Sequence, residues 1–150
     1  MWPFIKKQFF SRSDNELIVQ AIRDAEKETS GEIRVFVESK CRYIDPLHKA
    51  KKIFFHLKMD KTRHRNGVLF YIAIKDRQLA IYADTAIHKA IGEQYWKDVV
   101  NHILEFFNKE NYAVGIKECV LKIGDALRSH FPYDATVDKN DLPDGIIFGR

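Results

Sequence analysis

Five stretches of the chain carry apolar residues at the three- and four-residue spacing of an amphipathic helix. They predict helices over about residues 14–29, 46–59, 85–91, 94–108 and 113–130. The first stretch opens with a capping box, Ser13 to Glu16, and Gly31 is expected to break that helix. Asp45 is placed to cap the second helix, with Pro46 at its first position. Gly92 is expected to end the short third helix.

Strand patterns lie between the helical ones. EIRVFVES, 32–39, alternates between the two faces of a strand and keeps its aliphatic residues on one of them. GVLFYIAI, 67–74, is apolar on both faces, which predicts a central strand covered on two sides. QLAIYA, 78–83, follows a KDR turn and is expected to return antiparallel. IIFG, 146–149, predicts a short edge strand or a tail.

The connection between the first two strands decides the fold class. It spans some 28 residues and contains a helix, which is typical of a right-handed parallel crossover. Parallel strands need helices over both faces of their sheet. The pattern therefore predicts an α/β fold, with helices flanking a small mixed sheet.

This topology brings polar residues from three regions to one edge of the sheet. Glu32 starts the first strand, Arg65 and Asn66 precede the second, and Asp84 ends the third. The opposite edge is expected to collect Glu38, Asp45, Asp76 and Arg77.

Two interpretations of the first edge remain open. Asp84 is placed to cap the helix that follows it, and Glu32 to form an ion pair with Arg65. Alternatively, Glu32, Asp84 and Asp98 bind a cation, and oxygen ligands without Cys or His suit Ca²⁺ or Mg²⁺. His88 is either a general acid or ligand beside Asp84, or a partly exposed helix residue.

Length and composition indicate a single globular domain. The chain has 150 residues, 45% of them hydrophobic and 31% charged, with a net charge of +4. Its two cysteines, Cys41 and Cys119, form no disulfide framework, so a reducing, cytoplasmic location is expected. The dinucleotide, phosphate-loop, metalloprotease and hydrolase motifs are absent. The densest basic cluster is interpreted as a solvated surface, not a nucleic-acid site: Lys49, Lys51, Lys52, Lys58, Lys61, Arg63 and Arg65.

The first ten residues, MWPFIKKQFF, combine aromatic and basic side chains. No apolar run reaches the length of a spanning helix. Residues 1–12 are expected to form an arm before a single domain over 13–150. The arm either packs on that domain or gives weak peripheral membrane association.

Four segments together resemble the TPM-domain family, in particular its small stand-alone bacterial members. They are EKETSGEIRVFVES, MDKTRHRNGVLFYIAIKDRQLAIYAD, AIHKAIGEQYWKDVV and FPYDATVDKNDLPDGIIFG, and the resemblance extends from about Asp14 to Gly149. Six residues match family positions: Glu32, Arg65, Asn66, Asp84, Trp96 and Asp98. Two positions depart from the family pattern, since Ala83 replaces a common Gly and Asp141 a common Glu.

The resemblance implies a three-layer α/β/α sandwich. It also implies divalent-cation binding, especially of calcium, and a role as an accessory or protein-interaction module. Weak acid-phosphatase activity is the alternative that the family suggests. A third alternative is a peripheral membrane domain that binds a partner through residues 1–10.

Overall fold

The computed structural model describes residues 10–42, 45–109, 111–136 and 146–149. Their elements, in chain order, are α1 (Arg12–Glu26), β1 (Glu32–Glu38), α2 (Pro46–His56), β2 (Gly67–Ala73), β3 (Gln78–Ala83), α3 (Thr85–Ile91), α4 (Glu93–Asn108), α5 (Tyr112–His130) and β4 (Ile146–Phe148). Residues 1–9 of the expected arm, and Asp141, lie outside the described residues. The boundary of the arm therefore stays a prediction.

The four described strands form one mixed sheet in the order β3-β2-β1-β4. β1 pairs with β2 in parallel, with Glu32 opposite Gly67, which confirms the predicted crossover. β2 and β3 form the predicted antiparallel hairpin. β4 joins the far side of β1 in parallel, so IIFG is an edge strand as expected.

Helices cover both faces of the sheet, and the three-layer sandwich is confirmed. Side chains of α1, α3, α4 and α5 pack on the aliphatic face, against residues such as Val35, Phe70 and Ile81. α2 covers the other face, where Phe54 packs with Leu69 and Tyr71. Because β2 lies at the centre of both cores, all seven of its residues are buried.

Several local signals act as the sequence predicts. The Asp45 carboxylate accepts a hydrogen bond from the Leu47 amide at 3.0 Å, so it caps α2, and Pro46 is the first helical residue. Gly92 has a φ of +94° and separates α3 from α4. That backbone angle favours glycine. Cys119 is fully buried in α5, and both cysteines are free thiols.

The start of α1 corrects the predicted capping box. Ser11, not Ser13, caps the helix, and its hydroxyl accepts a hydrogen bond from the Asp14 amide at 3.1 Å. Ser13 lies inside the first turn, where it shares a hydrogen bond with the Ser11 hydroxyl.

The ends of α1 and α2 also come earlier than predicted. α1 ends at Glu26 because the next residues turn toward the end of α5: Thr29 donates a hydrogen bond to the Phe131 carbonyl and forms a bridge with Pro132. α2 ends at His56, since Lys58 has a left-handed backbone with φ of +58°. Both helix ends depend on backbone geometry that the spacing of hydrophobic residues does not show.

Candidate functional site

The predicted polar edge is present at the start of β1 and β2. Glu32 lies opposite Gly67, and the Gly67 carbonyl accepts a hydrogen bond from the Asp84 amide at 2.9 Å. Glu32 and Asp84 therefore flank one residue of the central strand. The hairpin and the crossover bring them together, as the topology requires.

Asp84 is fully buried and binds Arg65 through both of its carboxylate oxygens. Arg65 Nε donates to Oδ2 and Nη2 donates to Oδ1, each at 2.8 Å. The Thr85 amide donates to Oδ1 at 2.7 Å, so Asp84 also caps α3. The cap interpretation is confirmed, and Arg65 pairs with Asp84 instead of with Glu32.

The backbone holds Arg65 in this position. Its φ is +51°, and its carbonyl accepts a hydrogen bond from the Ala86 amide at 3.2 Å. The hydrogen bond to Asp84 raises the pKa of Arg65 above its ordinary value, which keeps the guanidinium charged. The Arg65 side chain is 43% exposed and the Asp84 side chain is fully buried, so the ion pair extends from the surface into the protein. Two parallel N–H···O bonds fix its geometry.

Asn66 joins two loops of the same edge. It is 1% exposed, its side-chain Nδ2 donates to the Ser30 hydroxyl at 3.1 Å, and its amide donates to the Thr62 hydroxyl at 3.3 Å. Gly31 lies against it, since an added Cβ there would approach the Asn66 carbonyl oxygen to 3.0 Å. Asn66 therefore holds the approaches to β1 and β2 together.

Sequence reasoning missed Arg34, which is buried beside Glu32. The side chain is 1% exposed, and its Nη1 donates to the Ile33 carbonyl at 3.0 Å. Its guanidinium lies 3.8 Å from Glu26 and 4.0 Å from Glu32. Glu26 also accepts a hydrogen bond from the Ile33 amide at 2.8 Å. The charged alternation of Glu32 and Arg34 was visible in the sequence, but their burial was not.

Asp98 does not join the other two predicted ligands in a cluster. It is exposed on α4, where Gln94 donates a hydrogen bond to its carboxylate at 2.8 Å. Within the described ranges, no group of three or more His, Cys, Asp or Glu side chains is arranged to hold a metal ion. His88 is exposed on α3, as its simpler interpretation predicts.

The opposite edge holds a second buried carboxylate, Glu38. Tyr71 donates a hydrogen bond to it, and Lys49 Nζ lies 3.8 Å away. Burial, together with the hydrogen bond to Glu38, raises the pKa of Tyr71 well above its ordinary value. Asp76, as predicted, also lies here and accepts a hydrogen bond from the Cys41 amide at 2.7 Å.

A mainly apolar groove of about 580 Å³ follows the outer side of β3, between the start of α2 and α4. The residues that line it include Tyr82, Leu47, Trp96, Val100 and His88. Neither Asp84 nor Glu32 lines this groove, but Ala83 and Thr85, on either side of Asp84, do.

A protein-family model described as the TPM domain matches residues 5–126 of the chain. The chain belongs to the TPM-domain family. That match covers well over half of the sequence.

Solved structures support the same conclusion. This TPM domain is similar to the BA42 protein of the psychrophilic bacterium Bizionia argentinensis, with 38% identity and a TM-score of 0.84 over 95% of this chain and 97% of that one. The resemblance to a small stand-alone member is thus confirmed.

More distant structures share the fold. The N-terminal domain of a protein from P. gingivalis has a TM-score of 0.69 at 16% identity, over 81% of this chain and 78% of that one. The N-terminal domain of a Corynebacterium glutamicum protein has a TM-score of 0.64 at 16% identity, over 95% and 93%. No curated protein sequence matches the chain significantly. Among the described helices, none combines the length and apolar character needed to cross a membrane.

Proposed function

We propose that this TPM domain is an accessory module that binds a divalent cation, with calcium the first candidate, and acts through contact with another protein. The observation that carries the accessory role is the state of Asp84, and the cation is what the resemblance to the family implies. Its carboxylate is fully buried, and its two oxygens are held by Arg65 and by the start of α3. A carboxylate held in this way is better suited to fixing the position of the surrounding backbone than to attacking a substrate.

The described side chains alone do not complete a cation site. Asp84 already has a cationic partner, and the Glu32 carboxylate lies 4.0 Å from the Arg34 guanidinium. No group of three ligating side chains occurs in the part of the chain that the structure describes. A calcium ion at this edge therefore competes with Arg65 for Asp84. Few protein ligands and a competing cation predict an affinity no tighter than about millimolar.

Calcium titration of matched variants tests the proposal. Arg65→Met frees the Asp84 carboxylate, so it should bind calcium more tightly than the wild-type protein, and calcium should raise its unfolding temperature. Asp84→Asn and the double variant should show neither effect. Arg63→Met is the control, because Arg63 is exposed and contacts Thr136 instead of Asp84. Titration calorimetry and thermal unfolding with and without calcium give the two readouts.

The proposal fails if calcium at millimolar concentration leaves both the heat and the unfolding temperature of Arg65→Met unchanged. Should that variant not fold, calcium binding by Arg65→Lys is compared with that of the wild-type protein, with the positive charge kept. Lysine lacks the planar fork that binds both oxygens of Asp84, so the carboxylate is less tightly held.

Weak metal-assisted acid phosphatase activity is the alternative. It requires Arg65 to stabilise a phosphoryl group, and this guanidinium is engaged by Asp84. Hydrolysis of p-nitrophenyl phosphate that is lost in both Arg65→Met and Asp84→Asn, while Arg63→Met keeps it, would favour the enzyme over the accessory module.

A further inference from the structure

The positive charge of this protein is concentrated in one segment. Residues 46–65 contain seven Lys and Arg residues and a single acid, Asp60, which gives the segment a charge of +6. Since the whole chain carries +4, the other residues together carry −2. α2 itself has no acidic residue. The excess charge lies on and beside α2, the helix that covers one face of the sheet in the described ranges.

The outer side of α2 also exposes two large apolar side chains. Leu47 is 39% exposed and Phe55 is 42% exposed, and only two other large hydrophobic residues are comparably exposed in the described ranges. Leu47, Lys51 and Phe55 are spaced by four residues, so they form one row along the helix. Lys52 and Lys58, three residues before and after Phe55, are also exposed.

Phe55 is held in place from beneath. Phe54 points into the core and packs edge-on against Tyr82, with ring centroids 4.8 Å apart. Phe55 contacts both of these rings, at 5.3 Å from Phe54 and 6.0 Å from Tyr82. The aromatic base fixes the orientation of Phe55 while its outer part stays in contact with solvent. We call the surface made by Leu47, Lys51, Lys52, Phe55 and Lys58 the basic α2 face.

We propose that the basic α2 face docks on an anionic lipid bilayer, with α2 lying flat in the headgroup layer. Lysines there are attracted to negatively charged headgroups, while Leu47 and Phe55 reach the boundary with the acyl chains. The row Leu47, Lys51 and Phe55 alternates apolar and basic side chains, which suits the boundary between headgroups and acyl chains. A nucleic acid would bind the lysines without using the leucine. This surface is distinct from residues 1–10.

Vesicle co-sedimentation tests the proposal on the full chain. The wild-type protein should bind vesicles of phosphatidylcholine mixed with an equal amount of phosphatidylglycerol, and should not bind phosphatidylcholine alone. Lys51→Glu/Lys52→Glu should lower binding at least tenfold, because each basic residue near the surface strengthens binding severalfold. Phe55→Ser should lower it less, with the salt dependence unchanged. Circular dichroism and thermal unfolding check that each variant is folded.

Two matched variants distinguish binding by the basic α2 face from binding by net charge or by the N-terminal residues. Lys89→Glu/Lys109→Glu makes the same change of net charge at exposed positions elsewhere, and it should bind nearly as well as the wild type. Trp2→Ser/Phe4→Ser should also retain most of the binding.

Three results would overturn the proposal. The first is equal loss in the two double-lysine variants, which would indicate attraction by net charge alone. The second is loss only in Trp2→Ser/Phe4→Ser, which would assign binding to the N-terminal residues. The third is no binding to anionic vesicles while a DNA duplex binds and Phe55→Ser leaves that binding unchanged, which would make the surface a nucleic-acid site.

Discussion

Two buried carboxylates, Asp84 and Glu38, lie at opposite edges of the sheet and are stabilised in different ways. Asp84 is paired with a full positive charge, through two hydrogen bonds to Arg65 and a third to the Thr85 amide. Glu38 accepts a hydrogen bond from a neutral donor, Tyr71, and its cation, Lys49, stays 3.8 Å away. The two carboxylates are therefore both buried, but one is hydrogen-bonded to a cation and the other to a neutral hydroxyl.

The difference shows what each edge contributes. Asp84 links the end of the hairpin to the loop before β2 and to the start of α3, so one side chain fixes three pieces of chain. Glu38 fixes a tyrosine that belongs to the core beneath α2. The first edge is a joint between elements, and the second is a polar connection inside one layer. Substitutions at the two edges should separate these roles.

The largest effect is expected for Asp84→Ala. It removes a helix cap worth about 1 kcal/mol together with the charge-assisted hydrogen bonds, so stability should fall by about 2 kcal/mol or more. Asp45→Ala is the matched control, because Asp45 also caps a helix but is exposed. Its loss should be about 1 kcal/mol. Urea unfolding of both variants measures the difference, and equal losses would mean that pairing with Arg65 adds nothing.

Tyr71→Phe should have the next largest effect. The variant keeps the ring in the core but leaves Glu38 without its buried donor, which should cost about 1–2 kcal/mol at neutral pH. Tyr133→Phe, at a tyrosine that is 59% exposed, should change stability by less than about 0.5 kcal/mol. Chemical denaturation is again the measurement. A Tyr71→Phe variant as stable as the wild type would show that Lys49 and solvent suffice for Glu38.

The same variant should alter the response to alkaline pH. The pKa of Tyr71 is raised in the folded protein, so the unfolded chain loses its phenolic proton first. This tyrosine therefore contributes full stability below about pH 10 and progressively less above it. Between pH 10 and 11 the gap between wild type and Tyr71→Phe should narrow by about 1 kcal/mol. A gap that stays constant would contradict the raised pKa.

Lys49→Met should have the smallest effect. The ammonium lies 3.8 Å from Glu38 and a quarter of the side chain is exposed, so the pair should contribute less than about 1 kcal/mol. Its contribution should also decrease with added salt. A loss larger than that of Tyr71→Phe would reverse the comparison and make Lys49 the main partner of Glu38.

Much of the fold followed from the sequence because its signals are local and agree with one another. Asp45 with Pro46 marks one helix start, Gly92 separates two helices, and the unbroken apolar run of β2 indicates a strand buried on both faces. The long helical connection between β1 and β2 then required parallel pairing. These features also sufficed to place Glu32 and Asp84 at one edge.

The partners of the site residues could not be predicted in the same way. Topology placed Arg65 at the same edge as Glu32 and Asp84, but it does not show which carboxylate the guanidinium binds. The burial of Arg34 could not be predicted, because the pattern of one strand does not show what covers it. The sequence SRSD at Ser11 did contain a usable capping signal, but the second serine obscured it. Whether Glu32, Asp84 and Asp98 bind a cation stays a prediction.

The position of β4 has a consequence for how the chain folds. β4 pairs with β1, so Val35 and Ile146 become neighbours only after more than a hundred intervening residues have been synthesised. Closing so long a loop is slow relative to forming the hairpin or the helices. During synthesis, the outer edge of β1 therefore stays open until the last strand emerges, and that edge is where a nascent chain is most exposed to mispairing with a neighbour.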